Sequence, residues 1–145
     1  MLKLIGIAYK TKKGGPMEEV FCAKVTRNRG VETDVFGRPG KRQVTVLSYE
    51  QWQQACNDID ASLAWVTRRA NLLISGHQFS SADKGKLLNI GELVLEITGE
   101  TDPCKKMDIA YSGLETALTP DWRGGVTCTV IQDGLIQIDD HITLG

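Results

Sequence analysis

No two cysteines of this chain stand in a CxxC pair. The four of them, Cys22, Cys56, Cys104 and Cys128, are scattered through the sequence, which argues against a zinc cluster. Long apolar runs are missing as well, and none approaches the length of a membrane span. The apolar start Leu4-Ile5-Gly6-Ile7-Ala8 is too short for a secretory leader, and it runs into Lys10, Lys12 and Lys13 rather than a cleavage site. A cytoplasmic protein with reduced thiols is therefore expected. Charge of one sign is also lacking: 17 Lys/Arg meet 18 Asp/Glu, for a net charge of −1. Nothing global draws the chain to nucleic acid or to a membrane. There are no internal repeats, no low-complexity stretch and no linker. The 145 residues are expected to form one domain, 1–145, with a proper core.

What charge there is lies unevenly. Residues 1–42 carry ten Lys/Arg against four Asp/Glu, and residues 43–145 carry seven against fourteen. The basic first third can either line a pocket for an anion or form solvated surface among acidic neighbours.

Strand patterns dominate. Residues 2–9, 20–26, 43–47, 72–74, 86–90, 93–98, 126–132, 135–138 and 142–144 read as strands, separated by Gly, Pro and Asp-rich breaks. Residues 28–40 read as a long loop with a short strand near 31–35. Asp133-Gly134 predicts a two-residue hairpin. The securest helix is 49–59. Ser48 caps it, Gln51 completes a capping box, and Trp52, Ala55, Cys56 and Ile59 form one apolar stripe. Ser112-Gly113-Leu114-Glu115 predicts a second capped helix, stopped by Pro120. His77 reads as a surface residue in a turn. Many short strands with two or three helices predict a mainly β fold, a closed barrel with helical insertions.

The chemistry concentrates at Thr101-Asp102-Pro103-Cys104-Lys105-Lys106, after an apolar strand. Asp102 predicts a helix N-cap with Pro103 at the first helical position, which puts Cys104 on the first turn. A helix N-terminus and two neighbouring lysines both favour a thiolate, while the Asp102 carboxylate opposes it. The alternative is a buried structural cysteine. Cys56 and Cys128 lie on apolar stripes and read as core. Arg68 and Arg69, before a strand, can grip an anion with planar donors or stand solvated at a strand end. Arg123-Gly124-Gly125 offers a cation beside open backbone N–H groups, or a simple turn.

Several stretches together carry a family resemblance. They are Arg42–Leu47 with Glu50, Arg69-Ala70-Asn71-Leu72, Asn89-Ile90-Gly91, Thr101–Cys104, Trp122–Val126 and Gly134–Asp140. In this order the chain resembles the MOSC domain, found at the C-terminus of molybdenum cofactor sulfurases and as short stand-alone bacterial proteins. The resemblance covers roughly residues 20–144. It implies a β-barrel of the pyruvate-kinase-barrel type and a molybdenum cofactor (molybdopterin) or persulfide sulfur at the Pro-Cys cysteine. Cys104 is then the reactive thiol and metal ligand, and Arg69, Asn71, Arg123 and Gly124 are cofactor-binding residues that share its cavity. It also implies a sulfur donor or a cofactor-receiving protein as partner. The alternatives are a molybdenum-dependent reductase of N-hydroxylated compounds and a non-catalytic interaction domain. The aminotransferase-like domain of a full sulfurase has no counterpart here, so pyridoxal phosphate is not expected. Relatives often carry Gly-Asp and then a histidine in the long early loop, where this chain has Val35-Phe36-Gly37-Arg38.

Overall fold

The computed structural model describes residues 1–145. Eleven strands occur in the order β1 (Leu2–Tyr9), β2 (Glu18–Glu19), β3 (Cys22–Thr26), β4 (Gly30–Val31), β5 (Val44–Ser48), β6 (Leu72–Ser75), β7 (Leu87–Ile90), β8 (Leu93–Glu100), β9 (Val126–Gln132), β10 (Gly134–Gln137) and β11 (His141–Leu144). Three α-helices are inserted: α1 (Tyr49–Asp58) after β5, then α2 (Lys105–Ala110) and α3 (Leu114–Leu118) between β8 and β9. No helix is long and apolar enough to cross a membrane.

Seven strands close a ring in the order β1-β11-β7-β8-β9-β5-β6 and back to β1. Closure leaves none of the seven as a free edge. All neighbours are antiparallel except β5 and β6, which run parallel across the crossover that contains α1. The barrel predicted from the strand spacing is therefore present.

Period-2 alternation sorts the side chains into two cores. Val44 and Val46 of β5, Leu72 and Ile74 of β6, and Ile97 and Cys128 point into a 19-residue barrel core. Leu47 and Leu73, on the other faces of β5 and β6, join Trp52, Ala55, Cys56 and Met107 in a second cluster under the helices. At about 1.5–3 kcal/mol per large buried side chain, each cluster is a major source of stability.

Helix α1 forms as its stripe requires. Ser48 accepts a hydrogen bond from the Gln51 backbone N–H at 3.3 Å. Trp52, Ala55 and Cys56 are buried and Ile59 is half-buried. The Gln51 side chain does not return to close the capping box. It donates to the carbonyls of Phe79 and Asp121 instead.

Three expectations need correction. Asp133-Gly134 is not a hairpin back onto β9. Strand β10 leaves the barrel and pairs with β3, Gly134 opposite Val25. Asp133 accepts from the Arg27 backbone N–H at 2.7 Å, and Gly134 presses so tightly on Leu93 that a Cβ would strike its backbone N. Second, α3 is not capped by Ser112: Gly113 is the cap residue, with φ 91°, and Asp108 of α2 accepts from the Glu115 N–H. Third, α2 begins two residues later than predicted, as the site shows.

Candidate functional site

Strand β8 delivers the chain to Thr101, and α2 starts at Lys105. Residues 101–104 belong to neither element. Cys104, with φ −130° and ψ 177°, is the N-cap residue of α2, so neither Asp102 nor Pro103 has the predicted place. The reason lies in the backbone ties. Thr101 N–H donates to the Gly125 carbonyl at 2.8 Å. From below, the buried Arg68 guanidinium donates to the carbonyl of Thr101 at 3.0 Å, of Asp102 at 3.4 Å and of Gly124 at 3.0 Å. These bonds fix 101–102 outside the helix, and the proline ring keeps the residue before it extended.

Gly124 is a contact requirement. A Cβ there would collide with the Thr101 carbonyl and crowd Pro103 and the Arg68 guanidinium. Gly125 has φ 98°, and a Cβ on it would meet the Val46 carbonyl. The Arg-Gly-Gly turn therefore lies flat beneath the cysteine loop, and Arg68 staples the two together. Arg68 reached the sequence reading only as one of a pair. Its role depends on carbonyls 33 and 56 residues away, which no local pattern signals.

Cys104 is exposed, and so are Lys105 and Lys106. Burial lowers the pKa of Arg68 from its ordinary value, while the Cys104 sulfur and the Asp102 carboxylate pull it back up. The guanidinium stays charged. Glu100, the last residue of β8, has its carboxyl pushed up by burial and by the neighbouring Asp102. Thr101 Oγ1 is buried with no hydrogen-bond partner.

Beside this loop opens a cavity of about 350 Å³ whose lining includes Lys10, Lys13, Arg69, Lys106, Phe36 and Ile109. Its four cations form no salt bridge with any carboxylate. Burial lowers the pKa of Lys10, and Arg69 and Lys106 push it the same way against the pull of Asp34. The basic first third thus reaches one cavity through Lys10 and Lys13.

The structure gathers only some of the residues expected together. Arg69 lines the cavity, held in the left-handed region (φ 69°) with Nη2 on the Gly15 carbonyl at 2.7 Å. Gly124 lies against the cysteine loop. Cys104 is not a lining residue; it precedes the lining Lys106 by two positions in the chain. Asn71 is not a cavity-lining residue: its amide accepts from the Thr45 N–H and donates to the Ala8 carbonyl, tying β5 to β1. Arg123 turns the other way. It pairs with Asp58 at 2.5 Å, donates to the Ala117 carbonyl, and lines a separate cavity with Gln51 and Trp122. A single pocket holding all five residues is thus not what the fold builds, because these two side chains are committed to structural partners.

The profile of the MOSC domain matches residues 20–143. No curated protein sequence matches the chain significantly. Among solved structures, the YuaD protein of Bacillus subtilis superimposes with a TM-score of 0.86 at 17% identity, covering 99% of this chain and 96% of that one. YiiM of Geobacillus stearothermophilus gives 0.77 at 14% identity, covering 100% and 75%, and YiiM of Escherichia coli gives 0.73 at 17%, covering 99% and 69%. These likenesses show the fold, and the profile spans most of the chain: this protein belongs to the MOSC domain family.

Proposed function

We propose that the protein binds a molybdopterin-type cofactor, or carries sulfur as a persulfide, at Cys104. The observation that supports this reading is an exposed thiol on the loop that leads into α2, whose Lys106 lines a cavity with four cations and no paired carboxylate. The donor set fits such a group. A phosphate needs guanidinium and ammonium donors, which Arg69, Lys10, Lys13 and Lys106 supply. When bound, the cofactor would supply a redox metal centre with Cys104 as a ligand.

The chain's own residues do the rest. Arg68 holds the cysteine loop through the Thr101 and Asp102 carbonyls. Gly124 and Gly125 allow the close backbone approach that keeps the thiol outward. Asn71 and Arg123 act at a distance in this reading, by fixing β5 to β1 and the Arg-Gly-Gly turn to α1.

For sulfur carriage, the Cys104 thiolate attacks the terminal sulfur of a donor persulfide. A new S–S bond forms at Cys104 and the donor leaves as its thiolate. Handing the sulfur on reverses the same exchange, with no net change of oxidation state. The partner in this reading is a persulfide donor or a sulfur- or cofactor-accepting protein.

The test is intact-mass spectrometry with metal analysis on protein made in a host that produces the molybdenum cofactor. The expected result is an added sulfur, or bound molybdenum with pterin, that Cys104→Ser abolishes. Protein that carries neither, or a Cys104→Ser variant that retains both, overturns the reading.

A further inference from the structure

We infer that Phe36 makes the cation cavity selective for anions that carry a planar ring. The inference rests on the anion site of the proposed function and names which anions that site prefers. Phe36 stands in the long loop between β4 and β5, and its ring lines the cavity together with Lys10, Arg69 and Lys106. It remains 49% exposed. About half of the side chain is therefore open to a ligand that enters the cavity.

The ring is not there by slack. Three ties hold its segment in place. The Lys10 N–H donates to Asp34 Oδ1 at 3.0 Å, the Val35 N–H donates to the Lys10 carbonyl at 2.8 Å, and the Phe36 N–H donates to Asp34 Oδ2 at 3.3 Å. Gly37 follows in a contact with the Arg29 carbonyl too close for any Cβ, and its own carbonyl accepts from Gln43 at 3.2 Å. Lys10 Nζ lies 4.7 Å from the ring centroid, so the cation and the ring are one unit.

A ligand with both an anionic group and a flat apolar part satisfies this wall in two ways. The anion relieves the repulsion among Lys10, Arg69 and Lys106, and the flat part packs on the Phe36 ring. Aliphatic anions of equal charge gain only the first. Aromatic pairing adds about two- to tenfold in affinity beyond area burial. The aliphatic Ile109, 85% exposed on the same cavity, widens the apolar rim without adding ring selectivity.

The experiment compares phenyl phosphate with cyclohexyl phosphate, equal in charge and similar in size, by NMR titration of protein made in a host that lacks the molybdenum cofactor. Phenyl phosphate should bind about two- to tenfold more tightly. Phe36→Leu should bring the ratio to about one while leaving cyclohexyl phosphate within about twofold, and Phe36→Tyr should retain the preference. Arg69→Ala should weaken both ligands. Equal binding of the two phosphates, no binding of either, or a preference that survives Phe36→Leu overturns the inference. Wild-type protein that loads sulfur or cofactor at Cys104 yet binds the two phosphates equally separates failure of this inference from failure of the proposed function.

Discussion

Cys128 and Cys104 belong to the two contrasting regions of this molecule. Cys128 sits on β9 opposite Val44 and Ile97, with no exposure, and burial pushes its thiol pKa far up. Everything around it is apolar, so its environment is set by strand alternation alone. Cys104 lies on a loop whose shape comes from polar ties: one guanidinium, three carbonyls and two glycines. The barrel is held by many interchangeable contacts. The cysteine loop is held by a few that have no substitute. Single changes at the loop should therefore act locally and sharply, whereas the barrel should tolerate volume-conserving swaps.

The largest effect is expected at Arg68. Arg68→Ala removes the donor to the buried Gly124 carbonyl and the half-buried Thr101 carbonyl, at about 1–3 kcal/mol each. Urea denaturation should show a loss of about 2–4 kcal/mol, and hydrogen exchange should rise at 101–104 more than in β9. Arg68→Lys should recover part of it, since an ammonium cannot span all three acceptors. An unchanged midpoint would mean that the loop is held by something else.

Gly124→Ala comes next. Its Cβ meets the Thr101 carbonyl, so about 1–3 kcal/mol should be lost through overpacking. The effect should be larger than for Gly14→Ala, where a Cβ meets nothing within 4 Å although φ is 75°. Equal losses at the two positions would remove the close-packing account.

Acid sensitivity sharpens the contrast from a third place. Burial raises the Asp83 carboxyl, but bonds from His77, the Ser80 N–H and Lys86 overcome it and hold it below its ordinary 3.8. A depressed carboxyl stabilises the fold above its unfolded value and stops doing so as pH falls through the folded one. Wild type should thus lose stability as pH falls below the ordinary carboxylate value, and Asp83→Asn should show a flatter profile there. Parallel profiles would contradict it.

The smallest stability effect is expected at Arg69. Its side chain lines the cavity and ties only the Gly15 carbonyl, so Arg69→Ala should cost about 0.5–1.5 kcal/mol. Added inorganic phosphate should raise the melting temperature of wild type and not of this variant. Adjacent arginines would then divide cleanly into a structural and a binding residue.

That division also marks how far the sequence is legible. The barrel strands and α1 follow from alternation and the Trp52-Ala55-Cys56 stripe, because local period and burial agree there. Cys104 stands out through its neighbours in the chain. Arg68, the helix start at Lys105 and the path of β10 do not, because each is decided by partners distant in sequence: Gly124 for Arg68, and Leu93 with Val25 for Gly134. Asn71 and Arg123 look like ligand residues by type, yet their hydrogen bonds are spent on Thr45, Ala8, Asp58 and Ala117.

The most direct test of Cys104 as the working sulfur is a race between thiols. Cys22 is also exposed but lies on strand β3 with no lysine pair after it, and Cys56 and Cys128 are buried. Limited alkylation of the folded protein near pH 7, followed by peptide mapping, should label Cys104 first, Cys22 later, and Cys56 and Cys128 only on unfolding. Labelling of Cys22 ahead of Cys104 would contradict the account.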